Sequence, residues 1–162
     1  MAEPHDVLNA LAPEEARAAL TRCCGSTRWV EGMLARRPFA SPAELRADAD
    51  ELWWSLGPED FLEAFAAHPR IGVRTTTDAW ARQEQSSVGA AGAELRAALA
   101  EANDRYLRRF GHIFIVYATG KTAAEMLGLL EARMPNDPDH ELSIAAGEQA
   151  KITQLRLEKL AS

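Results

Sequence analysis

Three side chains in this sequence combine a reactive type with a position that neighbouring residues help to define. His68 ends the apolar stretch AFAAHP, and Pro69 disfavours helical backbone in the residue before it, so the imidazole stands at a helix exit. An imidazole held in one place suits proton transfer. A structural or solvated histidine is the alternative. The dipole of the preceding helix favours its charged form and burial its neutral form, so its resting charge stays open. Glu84 follows Trp80 by one helical turn and shares its face, which would point a carboxylate inward beside a large ring. A carboxylate there needs a role, whereas a partly exposed glutamate with its stem on Trp80 needs none. Arg156 lies one turn after Ile152 and fourteen residues after Leu142, on or beside the stripe that these residues mark as buried. Such an arginine requires either an internal partner or a ligand carboxylate, which a planar guanidinium can grip through two bonds.

Other chemistries find little support. His5, His68, His112 and His140 are scattered singly, and no Cys or His pair has zinc spacing. Cys23 and Cys24 are adjacent and have no third cysteine to pair with, which reads as two small buried apolar residues. Gly120-Lys121-Thr122 has the ending of a phosphate loop, but the earlier glycine of that motif falls on Ile115. A helix start is the better account. No metal and no organic cofactor is therefore expected.

The elements that must position these residues are helical. Pro13 with Glu14 and Glu15 opens a helix whose Ala16, Ala19, Leu20, Cys23 and Cys24 share a face, and Gly25-Ser26 closes it and caps the next. Trp29, Val30, Met33 and Leu34 continue the pattern until Pro38. Ser41-Pro42-Ala43-Glu44 is a capping box with proline at the first helical position, before a stripe of Leu45, Ala49, Leu52, Trp53 and Leu56. Gly57-Pro58 starts a short helix carrying Phe61, Leu62 and Phe65. Residues 70–77 read as a loop, followed by a short helix with Trp80 on its inner face. From about Ala93 a longer helix runs to Phe110, where Gly111 can end it. HIFIVYA at 112–118 is β-prone but has no partner strand, so it reads as an extended segment buried among helices. Thr122 with Glu125 forms another capping box, and a last helix spans about 139–159.

Composition agrees. Apolar residues make up 47% of the 162, with alanine and leucine abundant and β-branched residues sparse. An all-α single domain, 1–162, of about seven to nine helices is expected. The formal net charge of −6, with basic residues no more than paired, argues against nucleic acid as a partner. No apolar run reaches the roughly 20 residues needed to span a bilayer, and the first residues lack the pattern of a secretory signal. The expectation is a soluble, cytoplasmic protein without membrane partners.

Taken in order, Leu8-Asn9, CCGSTRWVEGM at 23–33, Arg37-Pro38-Phe39, AFAAHPRIG at 64–72, Glu84-Gln85, Asn103 with Tyr106, RFGHIFIVYATGK at 109–121 and KITQLRL at 151–157 resemble the OHCU decarboxylase family over almost the whole chain. OHCU is 2-oxo-4-hydroxy-4-carboxy-5-ureidoimidazoline. The resemblance implies an all-helical homodimeric enzyme that decarboxylates this ureide to (S)-allantoin in urate degradation, without metal or cofactor. It places the family's catalytic histidine on His68 and its catalytic glutamate on Glu84. It assigns Pro69, Gln85 and Arg156 to substrate binding, with main-chain contacts from Phe114, Ile115 and Val116. One position departs: Ala81 stands where many relatives carry serine, which removes a hydroxyl contact. Two other readings fit the same residues. One is a helical binding module that keeps the fold without the activity, and the other a decarboxylase of a related ureide.

Overall fold

Proline sets where most of the helices begin. The computed structural model describes residues 2–70, 80 and 92–161. Among these it contains eight helices and no strand: α1 (Pro4–Ala10), α2 (Pro13–Cys23), α3 (Thr27–Arg36), α4 (Pro42–Trp54), α5 (Pro58–Ala66), α6 (Ala93–Phe110), α7 (Ala123–Arg133) and α8 (Pro138–Lys159). At α1, α2 and α5 an acid in the first turn reaches back to the cap: Asp6 accepts the Glu3 N–H at 3.3 Å, Glu15 that of Ala12 at 3.2 Å and Asp60 that of Gly57 at 3.2 Å. Each bond satisfies a donor the helix leaves open. At α4, Ser41 Oγ accepts from Glu44 N at 3.1 Å, while the Glu44 carboxylate accepts from Ala40 N, one residue further back than a capping box requires. Thr122 and Glu125 make the reciprocal pair at α7, at 3.0 and 3.1 Å.

The chain divides into two compact units, residues 1–67 with 149–162 and residues 68–148. In the first, α3 packs against α2, α4 and α5. Trp29 is wholly buried there and donates its indole N–H to Ala49 O at 3.0 Å. Gly25 permits the close approach of the α5 end, since a Cβ on it would stand 2.6 Å from that of Ala67. Asn9 and the Phe39 backbone exchange two hydrogen bonds, at 2.8 and 2.9 Å. Arg37 donates to Leu8 O and Leu11 O at 2.7 and 2.8 Å, closing the end of α1. The α1 helix was not among the expected elements. Of the apolar residues that α5 carries, Phe65 is buried and Leu62 is exposed.

In the second unit α6 packs on α7, and Leu99, Ala102, Tyr106, Phe114, Val116, Met126 and Leu130 form one buried cluster. Gly111 ends α6 in the left-handed region at φ +80°, its N–H bonded to Leu107 O at 2.8 Å. Residues 113–118 follow without regular structure, as the extended reading required. The final helix contributes residues up to Glu148 to this unit. Its buried positions differ from expectation: Leu142 is half-buried, whereas Glu141 beside it is fully buried.

Candidate active site

The local sequence explains the placement of His68. α5 ends at Ala66, and the Ala67 N–H turns back to Ala64 O at 3.2 Å, so the helix is closed before the imidazole. His68 and Pro69 are half-buried. Two residues beyond His68, Arg70 pairs with Asp104 on α6, both side chains substantially exposed. The imidazole thus follows directly on a closed helix end. Such a group can exchange a proton while its position is maintained.

Phe114, Ile115 and Val116 are 2–3% exposed. An extended segment with no neighbouring strand must satisfy its peptide groups some other way. Side chains do so: Arg133 Nη1 donates to Ile115 O at 2.8 Å, Glu148 accepts the Tyr117 N–H at 3.0 Å, and Lys121 Nζ donates to Tyr117 O at 2.7 Å. Arg133 is itself oriented by Glu141, whose Oε2 accepts from Arg133 Nε at 2.8 Å, from its Nη2 and from the Tyr106 hydroxyl. The other oxygen, Oε1, accepts from Asn136 Nδ2 at 3.0 Å. Burial, and then the bond to Glu141, push the Tyr106 phenol well above its ordinary pKa, so it stays a neutral donor. No motif or spacing in the sequence marks this cluster.

Arg156 lies in the first unit, 6% exposed, as its position on the helix stripe required. Its Nη1 donates to Arg22 O at 2.9 Å, one of the carbonyls that the last turn of α2 leaves open. The guanidinium is therefore aligned by a helix end. Along the same face of α8, Gln149 Nε2 donates to Thr153 Oγ1 at 3.0 Å, so this buried face carries polar groups as well as Ile152 and Leu157. Cys23 and Cys24 are buried in this unit, and burial pushes their thiols up to about 12 and about 11. At neutral pH both are therefore held as neutral, weakly nucleophilic thiols.

Of the proposed substrate contacts, Phe114, Ile115 and Val116 lie together on one segment held by Arg133. His68 and Pro69 belong to the same unit as that segment, and Arg156 to the other. Glu84, Gln85 and Ala81 lie outside the described residues. Trp80 is helical and half-buried. Among the described residues, Glu3, His5 and Asp6 offer three potential ligand atoms within 4.8 Å of one another. Asp6 is already engaged there as the cap of α1. The placed residues can supply a proton-transferring imidazole, a guanidinium for an anion, and fixed peptide groups.

The family model of OHCU decarboxylase matches residues 9–158. The uric acid degradation bifunctional protein TTL of Arabidopsis thaliana is 41% identical over 148 residues, covering 86% of this chain and 45% of that protein. The 2-oxo-4-hydroxy-4-carboxy-5-ureidoimidazoline decarboxylase of Amia calva is 30% identical over 130 residues, covering 76% of this chain and 74% of that one. Among solved structures, an OHCU decarboxylase crystallised in the presence of (S)-allantoin superposes with a TM-score of 0.78 at 42% identity, over 86% of this chain and 94% of that chain. An (S)-allantoin synthase structure shares the fold, with a TM-score of 0.72 at 21% identity, over 99% of this chain and 54% of that one. This chain thus spans less than half the length of the Arabidopsis protein.

Proposed function

The chain belongs to the OHCU decarboxylase family, and we propose that it decarboxylates OHCU to (S)-allantoin in urate degradation. One observation carries the reading: this chain covers 94% of an OHCU decarboxylase crystallised with (S)-allantoin, at 42% identity. The half-buried imidazole of His68 and the buried guanidinium of Arg156 supply groups the reaction requires.

In OHCU the carbon bearing the carboxylate also bears a hydroxyl and adjoins a ring C=N bond. Loss of carbon dioxide leaves its electron pair to form a carbon–carbon double bond, while the C=N pair moves onto nitrogen, which takes a proton. The hydroxyl then releases its proton as a carbonyl forms, and the neighbouring carbon is protonated on one face. The substrate is its own electron sink, so the protein needs only to bind, orient and move protons. In this proposal Arg156 holds the substrate carboxylate, Glu84 and Gln85 contact the ring and ureido groups, and His68 carries the proton transfers. Pro69 shapes the pocket, and peptide groups of residues 114–116 complete the grip. A homodimer working in the cytoplasm, without metal or organic cofactor, completes the reading.

The test adds purified protein to freshly generated OHCU and follows loss of its absorbance and the optical activity of the product. Accelerated loss with optically active allantoin, unchanged by a chelator, is expected. Loss no faster than the spontaneous reaction removes the proposal, and a chelator effect reversed by one metal removes its cofactor-free form.

A further inference from the structure

We propose that Arg133 is a positioning residue that clamps the extended segment 113–117, holding its peptide groups where the substrate meets them. The inference rests on the proposed function, because it is that reading which brings substrate to residues 114–116. Two consecutive residues of the segment are held by one guanidinium. Its Nη1 donates to Ile115 O at 2.8 Å, and its central carbon stands 4.5 Å from the centre of the Phe114 ring. Cation–π contact and hydrogen bond together fix both a ring and the next peptide plane.

The guanidinium has little freedom of its own. Nε and Nη2 both bind Glu141, a carboxylate with no exposed surface that Tyr106 and Asn136 also contact. The orientation of Nη1 toward Ile115 therefore follows from two bonds to a carboxylate that Tyr106 and Asn136 hold in place. Two residues further along, Glu148 on α8 accepts the Tyr117 N–H at 3.0 Å. Side chains from two helices thus take the place of a neighbouring strand. A buried ion pair is weak evidence of stabilisation in itself, since apolar residues of similar volume often do as well. What an apolar pair cannot supply is the directed bond to Ile115.

The experiment compares wild type with Arg133→Lys and Tyr106→Phe. Lysine keeps the charge but cannot bind Glu141 through two nitrogens while presenting a third to Ile115. Tyr106→Phe removes one bond to the same carboxylate and keeps the ring that packs edge-on against Phe114. Melting temperature, KM and kcat for OHCU, and amide hydrogen exchange across 113–117 are measured for all three. Both variants should melt lower. Arg133→Lys should raise KM by about tenfold or more with kcat changed less, and speed exchange in the segment, whereas Tyr106→Phe, which leaves both Arg133 bonds to Glu141 and the bond to Ile115 in place, should do so far less. If Arg133→Lys keeps the wild-type KM and exchange, or if Tyr106→Phe raises KM equally, the clamp is wrong. Should Arg133→Lys fail to fold, Glu148→Ala releases Tyr117 from a half-buried position and is judged by the same criteria. If wild type does not turn over OHCU, the proposed function fails, and hydrogen exchange still decides the clamp.

Discussion

The Arg156 guanidinium donates from Nη1 to the Arg22 carbonyl at 2.9 Å, so the proposed ligand for the substrate carboxylate is aimed by the C-terminal end of another helix. The carbonyl engages one nitrogen of a planar fork. Arg156→Lys keeps the charge and can still donate one bond to Arg22. It should therefore lower stability by only about 1 kcal/mol, as for one altered hydrogen bond. Affinity for a carboxylate-bearing inhibitor should fall by about tenfold or more, because a two-bond grip is lost. Titration calorimetry beside a thermal melt separates the two effects. A less stable protein with wild-type affinity would leave Arg156 a structural residue.

His68→Ala should fold, because α5 is closed by Ala67 before the imidazole is reached. Its kcat for OHCU should fall by about a hundredfold or more, the usual scale for removing a general acid or base. His140 is exposed, and His140→Ala should leave kcat within error. Stopped-flow decay of OHCU, with circular dichroism to confirm folding, compares the two. Near-normal turnover by His68→Ala would remove the proton-transfer assignment.

Much of the fold was legible because its signals are local. Ser41 with Glu44, Thr122 with Glu125, and Gly111 each announce a helix end within four residues, and the structure has those ends. Residues 112–118 were readable by elimination, as β-prone residues without a second strand. Arg133 and Glu141 were not, because each has a sufficient local explanation. A basic residue in the last turn of α7 and an acidic one in the first turn of α8 both suit the helix dipoles, and nothing nearby says that they face each other in the interior. Leu142 was taken as the buried position because it is apolar, yet the helix turns Glu141 inward. The α1 signal, Pro4 with Asp6 two residues later, was present but its helix is only seven residues long. For the site, the exit at His68 and the burial of Arg156 followed from Pro69 and helix periodicity. Their roles came from the family resemblance.

Glu141→Ala should destabilise the protein by about 3–5 kcal/mol, since it leaves the Arg133 guanidinium buried without its carboxylate. Glu131→Ala breaks the pair with Arg105, in which both side chains are substantially exposed, and should cost less than about 1 kcal/mol. Urea denaturation of both variants checks the contrast. Equal losses would contradict the difference in burial between the two pairs.

Two glycines should respond in opposite directions to alanine. A Cβ at Gly25 would meet the Ala67 Cβ at 2.6 Å, so Gly25→Ala must move the end of α5 and should cost about 1–3 kcal/mol. At Gly128, inside α7, a Cβ meets nothing within 4 Å, and Gly128→Ala should stabilise by up to about 1 kcal/mol through helix propensity. Thermal melts of the two proteins give the signs directly.

The paired thiols should tie stability to alkaline pH. Cys23 and Cys24 are 0% and 2% exposed, and burial raises their pKa from an ordinary 9.0 to about 12 and about 11. In the native protein both should be inert to a thiol reagent at pH 8, and both should react at once in strong denaturant. Above pH 9 the unfolded chain releases two protons that the folded chain retains, so the unfolded state gains stability relative to the native one. The contribution is therefore fully present below pH 9 and is lost as pH rises through about 11 and 12. Replacing both cysteines by alanine removes this source of pH dependence, although the smaller side chains lower stability at every pH. The comparison that matters is the slope between pH 9 and 11, which should be shallower in the double variant than in wild type. Parallel slopes, or rapid labelling of the native thiols at pH 8, would show that Cys23 and Cys24 are not held in the apolar surroundings that raise their pKa values.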